Sequence, residues 1–332
     1  MDILKVTFRA CVLAAAVLAG TSCRHSGKVL LPNVSGKAGE VIVVMDKDNW
    51  EGAAGSAVRG LLAAECQFLP QSEPLYTLAN VPTGSFTDIF KIHRNIVYFE
   101  IGSSVEKNTV TYRKDVWSTP QCVIQVSARN SGEAASLLEK EGKTIVGFIE
   151  QAERDRVINN SILYEERSLA KEVKSVFGGS PHFPMGYHLK KKTADFIWID
   201  DEKQYSTQGV LIYSYPAEGN DDFTLEKIIN KRNEVMKANV PGMFENTWMT
   251  TSDFWTPTIE HLRYQGRHFT QVRGLWEVQN DYMGGPFVSH SFYSRDGKKI
   301  IVTEAFVYAP RYDKRQYLRQ VESILYSWEW ND

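Results

Sequence analysis

Few residues of this chain could do chemistry, and they are scattered. Asp296-Gly297 sits between the apolar runs 286–294 and 299–308 and is a strong hairpin signal. A turn centred on it sets Ser289 opposite Glu304 and His290 opposite Thr303. Because strand side chains alternate, Glu304 joins Phe287, Tyr293, Ile300 and Phe306 on one face. His290 joins Val288, Phe292, Ile301 and Ala305 on the other. A carboxylate on such an apolar face needs a cation or keeps its proton. Arg267 and Arg273, on the polar face of a strand expected over 264–278, are the nearest plausible partners in sequence. A Glu304–Arg273 pair either floors a pocket or merely orients the sheet. Trp248, Phe254, Trp255, Trp276 and Tyr282 make a second constellation beside the tight backbone of Gly284-Gly285-Pro286. Such aromatics either stack on a sugar, a peptide or a partner surface, or plug the end of the core.

Other motifs fall away. EGKT at 141–144 imitates the end of a phosphate loop, but Leu137 stands where that loop needs glycine. No GxSxG, HExxH, CxxC or GxGxxG is present. His182 and His188 are six apart and His261 and His268 seven, which suits no regular metal pair, so neither metal nor cofactor is expected. His93, between apolar neighbours, reads as a structural histidine. Balanced charge, 38 basic against 40 acidic side chains, argues against a nucleic-acid surface. Hydrophobic content of 43% argues against disorder.

The amino terminus is more specific. Lys5 and Arg9 precede ACVLAAAVLAG at 10–20, too short to cross a bilayer but suited to a signal peptide. The run ends in Gly20-Thr21-Ser22-Cys23, which resembles the lipobox of bacterial lipoproteins, with Gly20 where leucine is favoured. The expected organisation is a signal peptide over 1–22, lipid on Cys23 and a flexible tether over 23–39. No acidic cluster follows Cys23, which favours an outer-membrane protein facing the periplasm. Cys66 and Cys122 then remain, either as a disulfide or as two separately buried thiols.

The elements that must position these residues suggest an α+β protein of two modules, 40–178 and 179–332, with the punctuation GGSPHFP between them. Strands are expected at 40–46, 88–101, 121–127, 186–191, 196–200, 209–215 and 264–278, besides the hairpin. Helices are expected from Asn49 to Ala63, over 131–140 with Gly142 as the stop, over 144–177, over 225–238 and over 313–328. The last places Tyr317, Leu318, Val321, Ile324, Leu325 and Trp328 on one face. Lys190-Lys191-Lys192 reads as a solvated edge. The shared element order suggests a duplication, each half an antiparallel sheet with helices packed on it.

The lipobox, HRNIVYFEI and GLWEVQNDYMGGPF together resemble an uncharacterised lipoprotein family of the Bacteroidota, a domain of unknown function. The last 70 residues also resemble, through element order, layered α+β modules of periplasmic lipoproteins. The resemblance implies location and fold but no reaction. The expected function is a non-catalytic binding or envelope-assembly module, anchored in the membrane and meeting an envelope protein or a glycan. The alternatives are an envelope or polysaccharide hydrolase using an acidic residue such as Glu304, and a structural interaction protein without a small-molecule site.

Overall fold

The computed structural model describes residues 30–219 and 221–331. The expected signal peptide and Cys23 lie outside the described residues. In chain order the elements are β1 (Glu40–Val44), α1 (Lys47–Glu51), α2 (Ala53–Leu62), β2 (Thr77–Val81), α3 (Asp88–Lys91), β3 (Asn95–Ile101), β4 (Thr109–Lys114) and β5 (Cys122–Ala128). Next come α4 (Ser131–Leu163), α5 (Arg167–Phe177), β6 (Gly179–Ser180), β7 (His188–Lys192), β8 (Phe196–Lys203) and β9 (Ser206–Pro216). The remainder is α6 (Leu225–Asn239), β10 (Met249–Thr251), β11 (Thr258–Tyr264), β12 (Arg267–Val278), β13 (Gly284–Tyr293), β14 (Lys299–Tyr308), α7 (Arg315–Tyr326) and β15 (Glu329–Trp330). The α+β reading holds.

The first sheet has the order β2-β1-β3-β5-β4, and β4 is its one antiparallel strand. The expected antiparallel pairing is therefore not met in this half. β1 shows why. Val41 and Val43 pack into one apolar cluster and Ile42 and Val44 into another, so the strand is buried on both faces. A continuous apolar run of this kind is the mark of a parallel strand. The second sheet is antiparallel throughout, ordered β10-β12-β13-β14-β9-β8-β7 with β11 beside β12. The two halves thus differ in element order and in strand direction, and the expected duplication is not reflected in their topology.

The hairpin register is as expected, with Ser289 opposite Glu304 and His290 opposite Thr303. Gly297 supplies the turn's left-handed residue, at φ +69°. The long strand expected over 264–278 is β12, which begins at Arg267; β11, not expected from the sequence, precedes it and folds back on it at Gln265-Gly266, where φ is +47° and +82°. Helices cover both faces of the second sheet. α5 and α7 pack on the face of Val288, Phe292 and Ile301, while α6 packs on that of Phe287, Ile300 and Phe306. The apolar face expected of α7 is largely as drawn, with Leu318, Val321, Ile324 and Leu325 in one core.

Asn130 caps α4 by accepting from the Glu133 amide at 3.0 Å. The helix then runs through Gly142 rather than stopping there. A Cβ at this position would sit 2.9 Å from Leu61 Cδ1, so the glycine lets α2 come close. α5 does end on glycine, Gly178 at φ +71°. β7 is the outer strand of the second sheet, with Lys190 and Lys192 tied to Glu202 and Glu172 at 2.7 and 2.5 Å. Among the described residues no helix is long and apolar enough to cross a membrane.

Candidate functional site

Glu304 stands in the middle of β14 and faces α6. The helical spacing Ile228, Arg232, Met236 puts a guanidinium into the apolar stripe of that helix, and all three residues are buried. Arg232 grips Glu304 with both arms, Nε to Oε2 at 2.9 Å and Nη2 to Oε1 at 2.7 Å. It also donates to Thr251 Oγ1 at 3.0 Å and lies 4.0 Å over the Phe287 ring. Neither Arg232 nor Glu304 has solvent exposure. Burial pushes the Glu304 carboxyl up, against the pull of Arg232. Arg273 is not its partner. β12 sets Arg273 opposite Val288, on the His290 face, where it pairs with Glu322 of α7. The arginine expected from the neighbouring strand is thus on the wrong side of the sheet. The missed signal was an arginine at the i+4 position of an apolar stripe.

The face that carries Glu304 continues past it into an open cleft of about 710 Å³. Trp198, Trp276, Phe306 and Tyr308 supply aromatic wall, and Met243 and Met283 add flexible thioethers from the loops. Two glycines make the arrangement fit. A Cβ at Gly209 would sit 2.0 Å from the Phe306 ring, and one at Gly285 would sit 2.0 Å from the Val307 carbonyl. Their absence lets Phe306 lie against β9 and lets Trp276 Nε1 donate to that carbonyl at 3.2 Å. Phe306 then meets Trp276 and Trp198 with ring centroids 5.6 and 6.3 Å apart. Trp198 Nε1 is buried with no partner. At the mouth, Arg311 stacks 4.1 Å over Tyr205. Lys190 is occupied by Glu202 and Lys203 by Asp201, whereas no ion pair reaches Arg311 among the described residues.

The five aromatics singled out from sequence do not gather. Trp276 is buried in the cleft wall. Trp248 is half-buried beneath Lys237, 4.5 Å from the ring centroid. Phe254 and Trp255 are exposed and lie against each other, with Trp255 edge-on to Phe68. Tyr282 is fully exposed. Neither Cys66 nor Cys122 is in a disulfide. Cys122 sits in the first core, where burial pushes its thiol up to about 12, while Cys66 packs beside the second.

Three histidines are structural anchors. His182 Nδ1 meets Glu165 at 2.6 Å, His93 Nδ1 lies 3.2 Å from the Asn95 carbonyl, and His261 Nδ1 lies 2.9 Å from Thr270 Oγ1. Among the described residues no three His, Cys, Asp or Glu side chains converge on a metal position. His290 is fully buried against Phe269 and Tyr326, with Gln271 Nε2 3.1 Å from its Nε2. Burial, reinforced by Arg267, Arg273 and Arg154, holds its imidazole well below the usual range. An unfolded histidine titrates near pH ~6.5. Below that value the unfolded chain takes up a proton that the fold refuses, so stability is full above it and declines as pH falls. The expected slope from this residue is about 1.4 kcal/mol per pH unit. Urea midpoints on either side of that pH should show the decline, and a His290→Asn variant should show a flatter one.

Two family models match the chain, DUF8532 over residues 34–161 and DUF4837 over 166–327. Both describe domains of unknown function. No curated protein matches. Among solved structures, one crystal structure from Bacteroides thetaiotaomicron VPI-5482 is 10% identical with a TM-score of 0.20, matching 47% of this chain and 46% of that one. The chain therefore spans about half the length of that structure. The human StarD13 (DLC2) lipid transfer and protein localization domain is 12% identical with a TM-score of 0.23, matching 48% of this chain and 95% of that one. Likenesses this weak identify neither fold nor ligand.

Proposed function

We propose that this protein is a non-catalytic binding module, anchored by lipid on Cys23 and facing the periplasm from the outer membrane. The short apolar run that ends at Cys23 supports the anchor. One observation carries the binding role: an open cleft of about 710 Å³ with aromatic and thioether walls and one unpaired guanidinium, Arg311, at its mouth. That volume is typical of a small-ligand pocket. Its chemistry suits an amphipathic anion, with an apolar body between Trp198, Trp276 and Phe306 and a carboxylate on Arg311. A hydrolase using an acidic residue would need a second carboxylate or a histidine facing it across the cleft. Its lining has Glu202 alone, held by Lys190 at 2.7 Å.

Palmitate titrated into the protein should quench its tryptophan fluorescence saturably. Arg311→Glu should weaken that binding about tenfold, equivalent to about 1.4 kcal/mol. Met243→Asp, which places a charge in the wall at a residue 79% exposed, should weaken it without loss of fold. Absence of saturable quenching, or wild-type affinity in both variants, would refute the cleft as the ligand site. Movement of a Cys23→Ser variant from the membrane to the soluble fraction is the companion readout for the anchor.

A further inference from the structure

A second cavity, of about 260 Å³, lies where α4 meets β12 and α7. Four guanidiniums line it, those of Arg154, Arg273, Arg315 and Arg319. Two of these are neutralised, Arg273 by Glu322 and Arg319 by Glu150. No ion pair reaches Arg154 or Arg315 among the described residues. Arg154 lies 3.6 Å over the Tyr326 ring and donates to Gln151 Oε1 at 3.2 Å. Arg315 donates to the Pro74 carbonyl and to Thr77 Oγ1, while its Nε is buried with no partner. The carboxylate of Glu73 is taken up by the amides of Lys314 and Arg315, at 2.6 and 2.9 Å. The lining therefore carries two more positive than negative side chains.

Positive charge held partly out of water is unfavourable unless matched. A planar guanidinium matches a multi-oxygen anion best, because its parallel N–H groups reach two oxygens at once. We propose that this cavity is a second ligand site, which binds a phosphate-type oxyanion between Arg154 and Arg315. The site is built from both halves of the chain. The oxyanion could be free phosphate or the head of a phosphomonoester, and the chemistry of recognition is the same.

Calorimetric titration of inorganic phosphate into the full chain, at ionic strength matched with sodium chloride, tests this. Saturable binding at one site is expected, weakened about tenfold or more in Arg154→Gln. Arg315→Gln should weaken it likewise, and Arg154→Lys should restore part of it. Palmitate binding at the other cleft should be unchanged in Arg154→Gln, which also reports that this variant is folded. Cys66 lines the same cavity, so bound phosphate should slow its alkylation by iodoacetamide, followed by peptide mass. Glycerol 3-phosphate in place of phosphate separates the sources: tighter binding assigns a phosphomonoester, and equal binding assigns the oxyanion alone. No saturable phosphate binding, or wild-type affinity in both glutamine variants, would overturn the proposal.

Discussion

Replacing Glu304 with alanine should cost about 3–5 kcal/mol of stability, because Arg232 is then left charged and unmatched where no water reaches it. The readout is the urea midpoint, with an unchanged slope showing that the two-state transition is preserved. Arg232→Met should cost a similar amount by stranding the carboxylate. The double variant Arg232→Met with Glu304→Leu should recover most of the loss, since a well-packed apolar pair of similar volume replaces a buried ion pair without penalty. A double variant no better than either single one would mean that Thr251 and Asn233, bonded to the same network, carry the stability instead. Either way Glu304 acts on the fold and not on a substrate. It contacts Arg232 and is closed to solvent.

Removing the Arg319 side chain should have the next largest effect, about 2–3 kcal/mol after allowance for partial exposure of its partner. Arg319 of α7 meets Glu150 of α4 through two contacts, at 2.7 and 3.2 Å, and Tyr76 donates to the same carboxylate at 2.6 Å. Burial alone would raise the Glu150 carboxyl, but Arg319, the Tyr76 hydroxyl and Arg154 overcome it and hold the group below its ordinary value. The sign follows. A carboxyl with a depressed folded value stabilises the protein above the unfolded value, near pH ~4.3, and that stability is lost as pH falls through the folded value. Acid unfolding of Glu150→Gln should therefore show a flatter limb below pH ~4.3 than the wild type. An unchanged limb would show that the Glu150–Arg319 contact does not set the acid sensitivity.

Periodicity made part of this fold legible. The hairpin and the apolar face of α7 rest on repeats of 2.0 and 3.6 residues with an unambiguous turn, and both are largely as expected. Features fixed by contacts between distant segments were not legible. Gly142 looked like a helix stop because its role, admitting Leu61, involves a residue 81 positions earlier. Gln265-Gly266 was passed over because apolar residues continue on both sides of it. The parallel direction of the first sheet was available in EVIVV, whose lack of alternation separates it from a half-exposed strand. For the candidate site, Trp276 was named but its neighbours were not, since Trp198 and Phe306 lie 108 positions apart and meet only through the β8-β9-β14 order. Charge partners were hardest of all. Placement on the neighbouring strand favours Arg273 for Glu304, whereas the sheet separates them onto opposite faces.

The lysine-bearing outer strand bears on solubility. An unpaired strand edge invites another chain to continue the sheet, and proteins blunt it with charge and irregular backbone. β7 does both, with three consecutive lysines and a register shift between Leu189 and Lys191. A neighbouring molecule that tried to add a strand there would meet cationic side chains and a broken ladder. This edge is therefore a poor template on which a neighbouring copy could extend the second sheet.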